Sequence, residues 1–280
     1  MIPASFDYHR PESLDAAITL LSQLGDDARP LAGGHSLIPA MKLRLAQPKA
    51  LVDLGGVAEL RRIDERDGSL VIGAMATHAE ILRSSLLARR APLFPQTAQH
   101  IGDTQVRNLG TIGGSLAHAD PGADWPAVVL AMEADLEVAS GARRRMISSS
   151  DFFVDVLQTA LQPGELLVAV HVAPTAETVA YVKTEQKASG FALCGVAAVV
   201  NASAKRVRVA VTGVAPTAYR ARAVEQALDG RDLTVAAIDE AARAAAEGAD
   251  PLGDMHASPE FRSHLARVNT ARALKAAARL

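Results

Sequence analysis

The first periodic segment of the chain has helical spacing. Over residues 13–24 the apolar side chains recur every three or four positions, which predicts an amphipathic helix that buries one face. Ser13 stands where a helix N-cap is expected, and Gly25 stands where the helix should end. The predicted apolar stripe consists of Leu14, Ala17, Ile18, Leu21 and Leu24.

Two short apolar runs surround a second predicted helix. We expect strands at Ala28–Ala32 and Ala50–Leu54, with a helix from about Leu37 between them. Ser36 is the expected N-cap of that helix, and Pro39 falls in its first turn. This order of elements indicates a βαβ-like start to the fold.

The middle third of the chain has alternating apolar and polar positions, which predict a mostly antiparallel sheet carrying helices. A DGS sequence between two short predicted strands indicates a hairpin, and Thr77–Glu80 has the spacing of a capping box before a helix. The predicted strands are Arg61–Asp64, Leu70–Ile72, Asp135–Ala139, Arg144–Ile147 and Leu166–Val172.

Beyond a predicted linker at Pro174–Thr178, strands precede helices, which indicates a separate α+β domain. Ser258 followed by Pro259 marks the start of the last helix. The predicted strands are Tyr181–Lys183, Ala192–Asn201 and Arg206–Thr212. The predicted helices are Ala218–Leu228, Val235–Glu247 and Pro259–Leu280.

The composition is that of a globular protein with room for two domains. The chain has 280 residues, 49% of them hydrophobic and 21% charged, which excludes a disordered chain. The net charge of −2 comes from interspersed basic and acidic residues, so nucleic acid is not an expected partner. The longest apolar run, Phe191–Val200, is half a membrane span, and the N-terminus lacks a signal core. We therefore expect a cytoplasmic protein.

The single cysteine limits the redox chemistry that the chain can carry itself. Cys194 lies inside an apolar run, where a buried structural thiol is expected. One thiol cannot form an internal disulfide, a zinc site or an iron–sulfur cluster. Any redox centre on this chain must therefore be an organic cofactor.

Two glycine pairs carry the most informative signal. The first lies in LAGGHSL, residues 31–37, and the second in TIGGS, residues 111–115, each placed after a strand-like stretch. Paired glycines let backbone N–H groups approach an anion, and Ser36 and Ser115 add hydroxyl donors. The first pair also precedes a helix, whose N-terminus attracts phosphate. Together the segments could cradle one diphosphate, although each alone could be a tight turn. Neither matches the P-loop or the Rossmann fingerprint.

With their surroundings, these segments resemble the FAD-binding subunits of the molybdenum hydroxylases. The resemblance is carried by LAGGHSLIPAMKLRLAQPKALVDL at 31–54 and QVRNLGTIGGSLAHADPGAD at 105–124. The opening SFDYHRPESLDAAITLL is similar to the carbon monoxide dehydrogenase medium-chain type. YVKTEQKASGFALCGVAA and SPEFRSHLARVNTARAL also match these subunits, so that the resemblance covers nearly the whole chain.

The resemblance implies an α+β fold with an FAD-binding domain of the p-cresol methylhydroxylase type and a small C-terminal domain. The first would span residues 1–174, as two α/β subdomains at 1–55 and 56–174. The second would span residues 178–280, with a three-stranded sheet and helices.

The resemblance also implies a set of cofactor contacts. Asp124 matches an acidic residue that holds the polar part of FAD, and Ile101 falls where a hydrophobic side chain packs near the isoalloxazine. Without the resemblance, Asp124 could be an exposed residue at a helix start, Ile101 and Leu167 plain core, and Lys183 a solvated strand end. The diphosphate contacts would be Ala32, Gly33, Gly34, His35 and Ser36 with Thr111, Ile112, Gly113, Gly114 and Ser115, and the further flavin contacts Leu167 and Lys183.

Lys183 carries a charge that, beside a flavin, would stabilise its reduced, anionic form. The sequence also departs from its relatives at two places. Ser115 stands where relatives often have Asn, and residues 183–191 lack an Arg-rich stretch and a following Asp. The second departure bears on the contacts of that segment with the flavin or with a partner.

The eight histidines do not have the spacing of metal ligands, so no metal site is expected. In some distant flavoproteins of this fold the histidine of a GGH sequence bonds covalently to the flavin. The molybdenum-hydroxylase relatives hold FAD without that bond, so the resemblance implies a non-covalent role for His35. No catalytic triad or carboxylate pair is evident, as expected where the cofactor supplies the reactivity.

The function that the resemblance implies is electron transfer within a larger complex. Substrate would be oxidised at a molybdopterin centre on a large partner subunit. Electrons would pass through [2Fe-2S] clusters on a small partner to FAD here, and then to a quinone, NAD or oxygen. The whole would be a dimer of heterotrimers. Two alternatives stay open: a self-contained FAD-dependent oxidase or dehydrogenase, and an assembly protein without cofactor. Carbon monoxide, an aldehyde, a purine or an N-heterocycle could be the substrate.

Overall fold

The computed structural model describes residues 2–141 and 143–280, and begins with a small parallel layer. Three strands form a sheet in the order β1-β3-β2, with both pairs parallel. The predicted βαβ start is therefore confirmed, although the three-residue β1 was not predicted because it has no apolar alternation. The elements are β1 (Asp7–His9), α1 (Leu14–Leu24), β2 (Ala28–Leu31), α2 (Leu37–Lys42) and β3 (Ala50–Asp53).

Helix α1 forms as its sequence predicts. The Ser13 side chain accepts a hydrogen bond from the Ala16 N–H, and Gly25 ends the helix with a positive φ of 57°. The apolar stripe lies in a core cluster shared with β3 and with the next sheet. The buried members of that stripe are Leu14, Ala17, Ile18 and Leu21.

The middle part of the chain is built on a five-stranded antiparallel sheet with the order β4-β5-β10-β6-β7. Its first strand starts two residues later than predicted, because residues 58–61 form a 3-10 turn. Asp67 and Gly68 turn the first hairpin with positive φ. The strands are β4 (Ile63–Arg66), β5 (Ser69–Gly73), β6 (Asp135–Ser140), β7 (Arg143–Ser148), β8 (Phe153–Asp155), β9 (Gln158–Thr159) and β10 (Leu166–Val172).

Seven short helices belong to this part of the chain among the described residues. The capping box of the first is present, since the Thr77 hydroxyl accepts from the Glu80 N–H and the Glu80 carboxylate accepts from the Thr77 N–H. Trp125 at the start of the eighth helix of the chain is fully buried in the largest core cluster. The helices are α3 (His78–Arg83), α4 (Ser85–Arg90), α5 (Leu93–Ala98), α6 (Thr104–Leu109), α7 (Ile112–His118), α8 (Trp125–Ala131) and α9 (Ser149–Phe152).

The C-terminal part has three long antiparallel strands and a two-residue fourth, in the order β11-β12-β13-β14, packed by helices. The helix predicted at Val235–Glu247 is shorter, because residues 242–244 tighten into a 3-10 turn. None of the described helices has the length and hydrophobicity of a membrane span. The elements are β11 (Thr178–Glu185), β12 (Ala192–Asn201), β13 (Arg206–Thr212), β14 (Tyr219–Arg220), α10 (Arg222–Leu228), α11 (Val235–Ala241) and α12 (Pro259–Ala278).

Candidate functional site

The two glycine segments lie directly against each other. A Cβ at Gly33 would collide with the carbonyl oxygen of Leu109 and would lie 2.7 Å from the Cα of Gly110. A Cβ at Gly114 would lie 3.3 Å from the Cβ of Ala32. The sequence separates these segments by almost eighty positions, yet the fold brings them together, as a shared diphosphate site requires.

The first segment presents a row of unused backbone donors. Among the described residues, no acceptor is found for the N–H groups of residues 33–37. Gly34 has a φ of 74°, a conformation that side chains with a Cβ rarely adopt. Ser36 stands at the N-cap position of α2, but its side chain makes no capping hydrogen bond, because its backbone is already helical. The capping prediction for Ser36 is therefore wrong, and its hydroxyl is available to a ligand.

The second segment differs from its prediction as well. Its glycine pair lies in the first turn of α7 instead of following a strand, and the stretch before it forms helix α6. The Thr111 side chain caps α7 by accepting from the Gly114 N–H at 3.1 Å. The local spacing of apolar residues predicted a strand. The Thr111 cap and contacts with residues distant in sequence stabilise helix α7 instead.

Most backbone donors of the second segment are used by the protein itself. The Ile112 N–H donates to the Ala76 carbonyl at 3.0 Å, and the Gly113 N–H donates to the Ala74 carbonyl at 2.8 Å. A Cβ at Gly113 would lie 2.6 Å from that Ala74 oxygen, so this glycine permits α7 to pack on the end of β5. The donors for which no acceptor is found in the described part of the chain are the Thr111 N–H, the Thr111 hydroxyl and the Ser115 hydroxyl.

A buried histidine inside the predicted capping box, His78, supports the contact between the two glycine segments. The Trp125 Nε1–H donates to Nδ1 of His78 at 3.1 Å, and burial lowers the pKa of His78 to about 4, helped by the charges of His35 and Arg107. An indole only donates, so the neutral imidazole must carry its proton on Nε2. That Nε2 edge faces Gly110, where a Cβ would lie 2.7 Å away. No local pattern distinguishes this histidine, because its partner is 47 positions away.

A second group of predicted residues meets at the start of α8. The Asp124 carboxylate accepts hydrogen bonds from the Tyr181 hydroxyl at 2.5 Å and from the Lys183 ammonium at 3.0 Å. The side chains of Asp124 and Lys183 are only 6% and 2% exposed, so neither is the solvated residue that the sequence left open. Burial raises the pKa of Asp124, while Lys183 and the Tyr181 hydroxyl oppose that rise. Tyr181 belongs to this group, but the sequence analysis did not identify it.

The Asp124–Lys183 pair is joined to the loop that carries Ile101. Lys183 Nζ donates to the His100 carbonyl at 2.9 Å, and the Arg107 guanidinium donates to the carbonyls of Ile101 and Gly102 at 3.0 and 2.8 Å. Two cations therefore fix three successive carbonyls and hold the half-buried Ile101 side chain at the site.

The remaining predicted residues are placed differently. Leu167 lies on β10 at 5% exposure within the main core cluster, so it offers little surface to a ligand. His35 is exposed in the first segment. Burial raises the pKa of the Cys194 thiol to about 12, which suits a structural role. Within residues 2–141 and 143–280, no group of three potential metal ligands is found.

The arrangement fits a dinucleotide of the FAD type. Unused N–H groups on a backbone without Cβ atoms suit a diphosphate, and the Ser36 and Ser115 hydroxyls can add donors. The group around Asp124 offers buried charge and hydrogen-bonding atoms to a polar ring. Helices α6 and α7 connect the two parts of the site through short stretches of chain.

Comparison with known proteins identifies the family of the chain. A family model described as the FAD binding domain in molybdopterin dehydrogenase matches residues 4–175, and one described as the CO dehydrogenase flavoprotein C-terminal domain matches residues 179–277. The carbon monoxide dehydrogenase medium chain of Hydrogenophaga pseudoflava is 40% identical over 99% of this chain and 98% of its own.

Solved structures give the same result. Carbon monoxide dehydrogenase from Hydrogenophaga pseudoflava, in a form that lacks the Mo-pyranopterin moiety, matches with a TM-score of 0.96 at 42% identity, covering 100% of this chain and 99% of that chain. Quinoline 2-oxidoreductase from Pseudomonas putida 86 matches with a TM-score of 0.93 at 36% identity, covering 99% of each chain. These matches confirm the fold class that the sequence predicted.

Proposed function

Because the chain belongs to the family of FAD-binding medium subunits of molybdenum hydroxylases, we propose that it carries electrons from a partner's iron–sulfur clusters through FAD to an external acceptor. Members of this family are oxidoreductase subunits, and the suspected resemblance is confirmed. FAD supplies the redox chemistry when bound, whereas the chain supplies binding, orientation and electrostatics.

The observation that carries this proposal is the row of unused N–H groups at residues 33–37, pressed against the second glycine segment. Five consecutive backbone donors without a protein acceptor would be costly unless water or a ligand satisfies them. A diphosphate is the group that such a row binds best. The hydroxyls of Ser36 and Ser115 would contact the same group. Ala32, His35 and the Thr111–Ser115 stretch would complete its surroundings.

The second part of the site would hold the flavin ring. Ile101 would pack against it, and Lys183, held by Asp124, would place a positive charge beside it. Leu167 stays a prediction, as does non-covalent attachment at His35. The division into domains at residues 174–178 is also part of the proposal.

We assign the other redox centres to partner chains. With one buried thiol, this chain cannot ligate an iron–sulfur cluster. A large molybdopterin subunit and a small [2Fe-2S] subunit would supply the remaining electron path, in a dimer of heterotrimers. The relatives include enzymes of carbon monoxide and of quinoline, so the substrate class stays open. The cytoplasmic location stays a prediction.

The test is reconstitution of the purified chain with FAD, followed by denaturation. We expect one FAD per chain, a flavin spectrum, and release of all yellow colour into the supernatant. Substrate should reduce the flavin only when the large and small partner chains are added. A chain that stays colourless and binds no added FAD would refute the proposal. Turnover of an organic substrate by the chain alone would favour a self-contained oxidase.

A further inference from the structure

Two side chains of β11 converge on one buried carboxylate. Tyr181 and Lys183 are two positions apart on a strand, so their side chains point to the same face, and both donate to Asp124. Lys183 was predicted as a flavin contact, whereas Tyr181 was not. Its hydroxyl is buried, and its hydrogen bond to the Asp124 Oδ1 is 2.5 Å long.

The fold reserves space for this hydroxyl. Gly195 lies on β12 beside Tyr181, and a Cβ at Gly195 would collide with the Tyr181 oxygen and lie 3.1 Å from Cζ. A glycine in the interior of a strand usually marks the close approach of another group. Here that group is the phenol, so the sheet is built to let Tyr181 reach Asp124.

The Asp124 carboxylate partly compensates the charge that Lys183 would offer to a flavin. The side chains of Asp124 and Lys183 lie almost out of water, so each charge depends on its immediate partners. Burial alone favours the protonated form of Asp124 and raises its pKa, and the Tyr181 hydrogen bond favours the ionised form. The charged or titratable groups that act on Asp124 or Tyr181 are Lys183, Glu185 and Cys194, with His100 beside the Tyr181 ring.

We propose that Tyr181 is a positioning residue, whose hydroxyl holds Asp124 ionised against Lys183 and thereby sets how readily the bound flavin is reduced. This inference rests on the proposed function, because it requires FAD beside Lys183. Reduction adds negative charge to the flavin. A Lys183 paired with an ionised Asp124 stabilises that charge less than a Lys183 whose partner is neutral. The intact Tyr181–Asp124–Lys183 group therefore keeps the reduction potential of the flavin low.

The test is the reduction potential of the FAD-loaded full chain with Tyr181→Phe, against Tyr219→Phe as a matched control. Tyr219 is a partly buried tyrosine of the C-terminal sheet whose hydroxyl donates to the Ala245 carbonyl at 3.0 Å and not to Asp124. In Tyr181→Phe, Asp124 takes up a proton more easily and leaves Lys183 uncompensated. We expect reduced flavin to gain about tenfold in affinity relative to oxidised flavin, a positive shift of about 30 mV for two electrons. Tyr219→Phe should leave the potential unchanged.

A double-substitution cycle separates positioning from packing. Asp124→Asn should raise the potential in the same direction, and adding Tyr181→Phe to it should change the potential no further, because the hydroxyl acts through the carboxylate. If Tyr181→Phe does not fold, Asp124→Asn carries the test alone. An unchanged potential in either folded single variant overturns the inference. Failure of the wild-type chain to bind FAD refutes the proposed function instead, and is seen before any potential is measured.

Discussion

The two glycine segments look alike in sequence, but their backbone N–H groups have different hydrogen-bond partners in the fold. The first keeps the backbone N–H groups of residues 33–37 free of protein acceptors within the described residues, whereas the second uses those of Ile112, Gly113 and Gly114 to dock and cap α7. Gly33 allows one segment to touch the other, and Gly113 allows a helix to touch a strand end. Paired glycines therefore identify close backbone approach, and only the hydrogen bonds around them show whether a ligand or the protein itself is approached.

The largest expected effect comes from separating the two segments. Gly33→Ala places a methyl group against the Leu109 carbonyl and the Gly110 Cα, both of which are backbone atoms and cannot rotate away. We expect FAD affinity, measured by titrating the apo chain, to fall at least about a hundredfold, because both walls of the site move.

Gly68→Ala is the control for that substitution. Gly68 has a φ of 78°, but a methyl group added there would have no other atoms within 4 Å, and the residue lies in the first hairpin, outside both segments. It should lose some stability and keep its FAD affinity. Equal affinity losses in the two variants would contradict the role given to Gly33.

Low pH should destabilise the folded chain, because His78 then becomes protonated. The folded pKa is about 4 against 6.5 for a free histidine, so the unfolded chain binds the extra proton between these values. The contribution of the neutral His78 to the free energy of unfolding is fully present above about pH 6.5. It is lost as the pH falls toward 4, and the total loss is about 3 kcal/mol. Denaturant unfolding at several pH values measures it, and His78→Gln should flatten the curve over that window. A wild-type curve already flat there would contradict the buried neutral state.

Gly113→Ala should damage stability more than affinity. Its methyl group would press on the backbone and Cβ of Ala74, which costs about 1–3 kcal/mol by overpacking. Denaturant unfolding should show that loss, while the folded fraction binds FAD within a few-fold of wild type. An affinity loss as large as that of Gly33→Ala would mean that both glycines face the ligand.

The sequence predicted the first segment better than the second for a physical reason. The apolar stripe of α1 and the paired glycines are local signals, so the βαβ start and the first segment follow from them. The helix at Ile112–His118 depends on the Ala74 and Ala76 carbonyls, which lie far away in the chain. His78 and Tyr181 escaped detection for the same reason, since their partners Trp125 and Asp124 lie 47 and 57 positions away. Ser36 shows the opposite case, in which a local signal gave a wrong prediction. Serine is a favoured capping residue, but here its backbone is helical and its side chain makes no capping hydrogen bond.

The smallest expected effects compare the two serines. The first segment has five N–H groups without a protein acceptor among the described residues, besides the Ser36 hydroxyl, so Ser36→Ala removes one donor among many and should weaken FAD binding only a few-fold. The second segment has only the N–H and the hydroxyl of Thr111 besides the Ser115 hydroxyl, counted over the same residues. Ser115→Ala should therefore cost more, about tenfold, and Ser115→Asn should restore a donor and recover most of that loss.

Titration of the apo forms with FAD measures all three serine variants. Ser263→Ala serves as control, since that exposed hydroxyl donates to the Pro259 carbonyl within α12. If Ser36→Ala cost more than Ser115→Ala, the N–H groups of the first segment could not be satisfying the diphosphate on their own. The hydroxyl would then be the principal contact there, and the difference between the segments would lie in their side chains instead of their backbones.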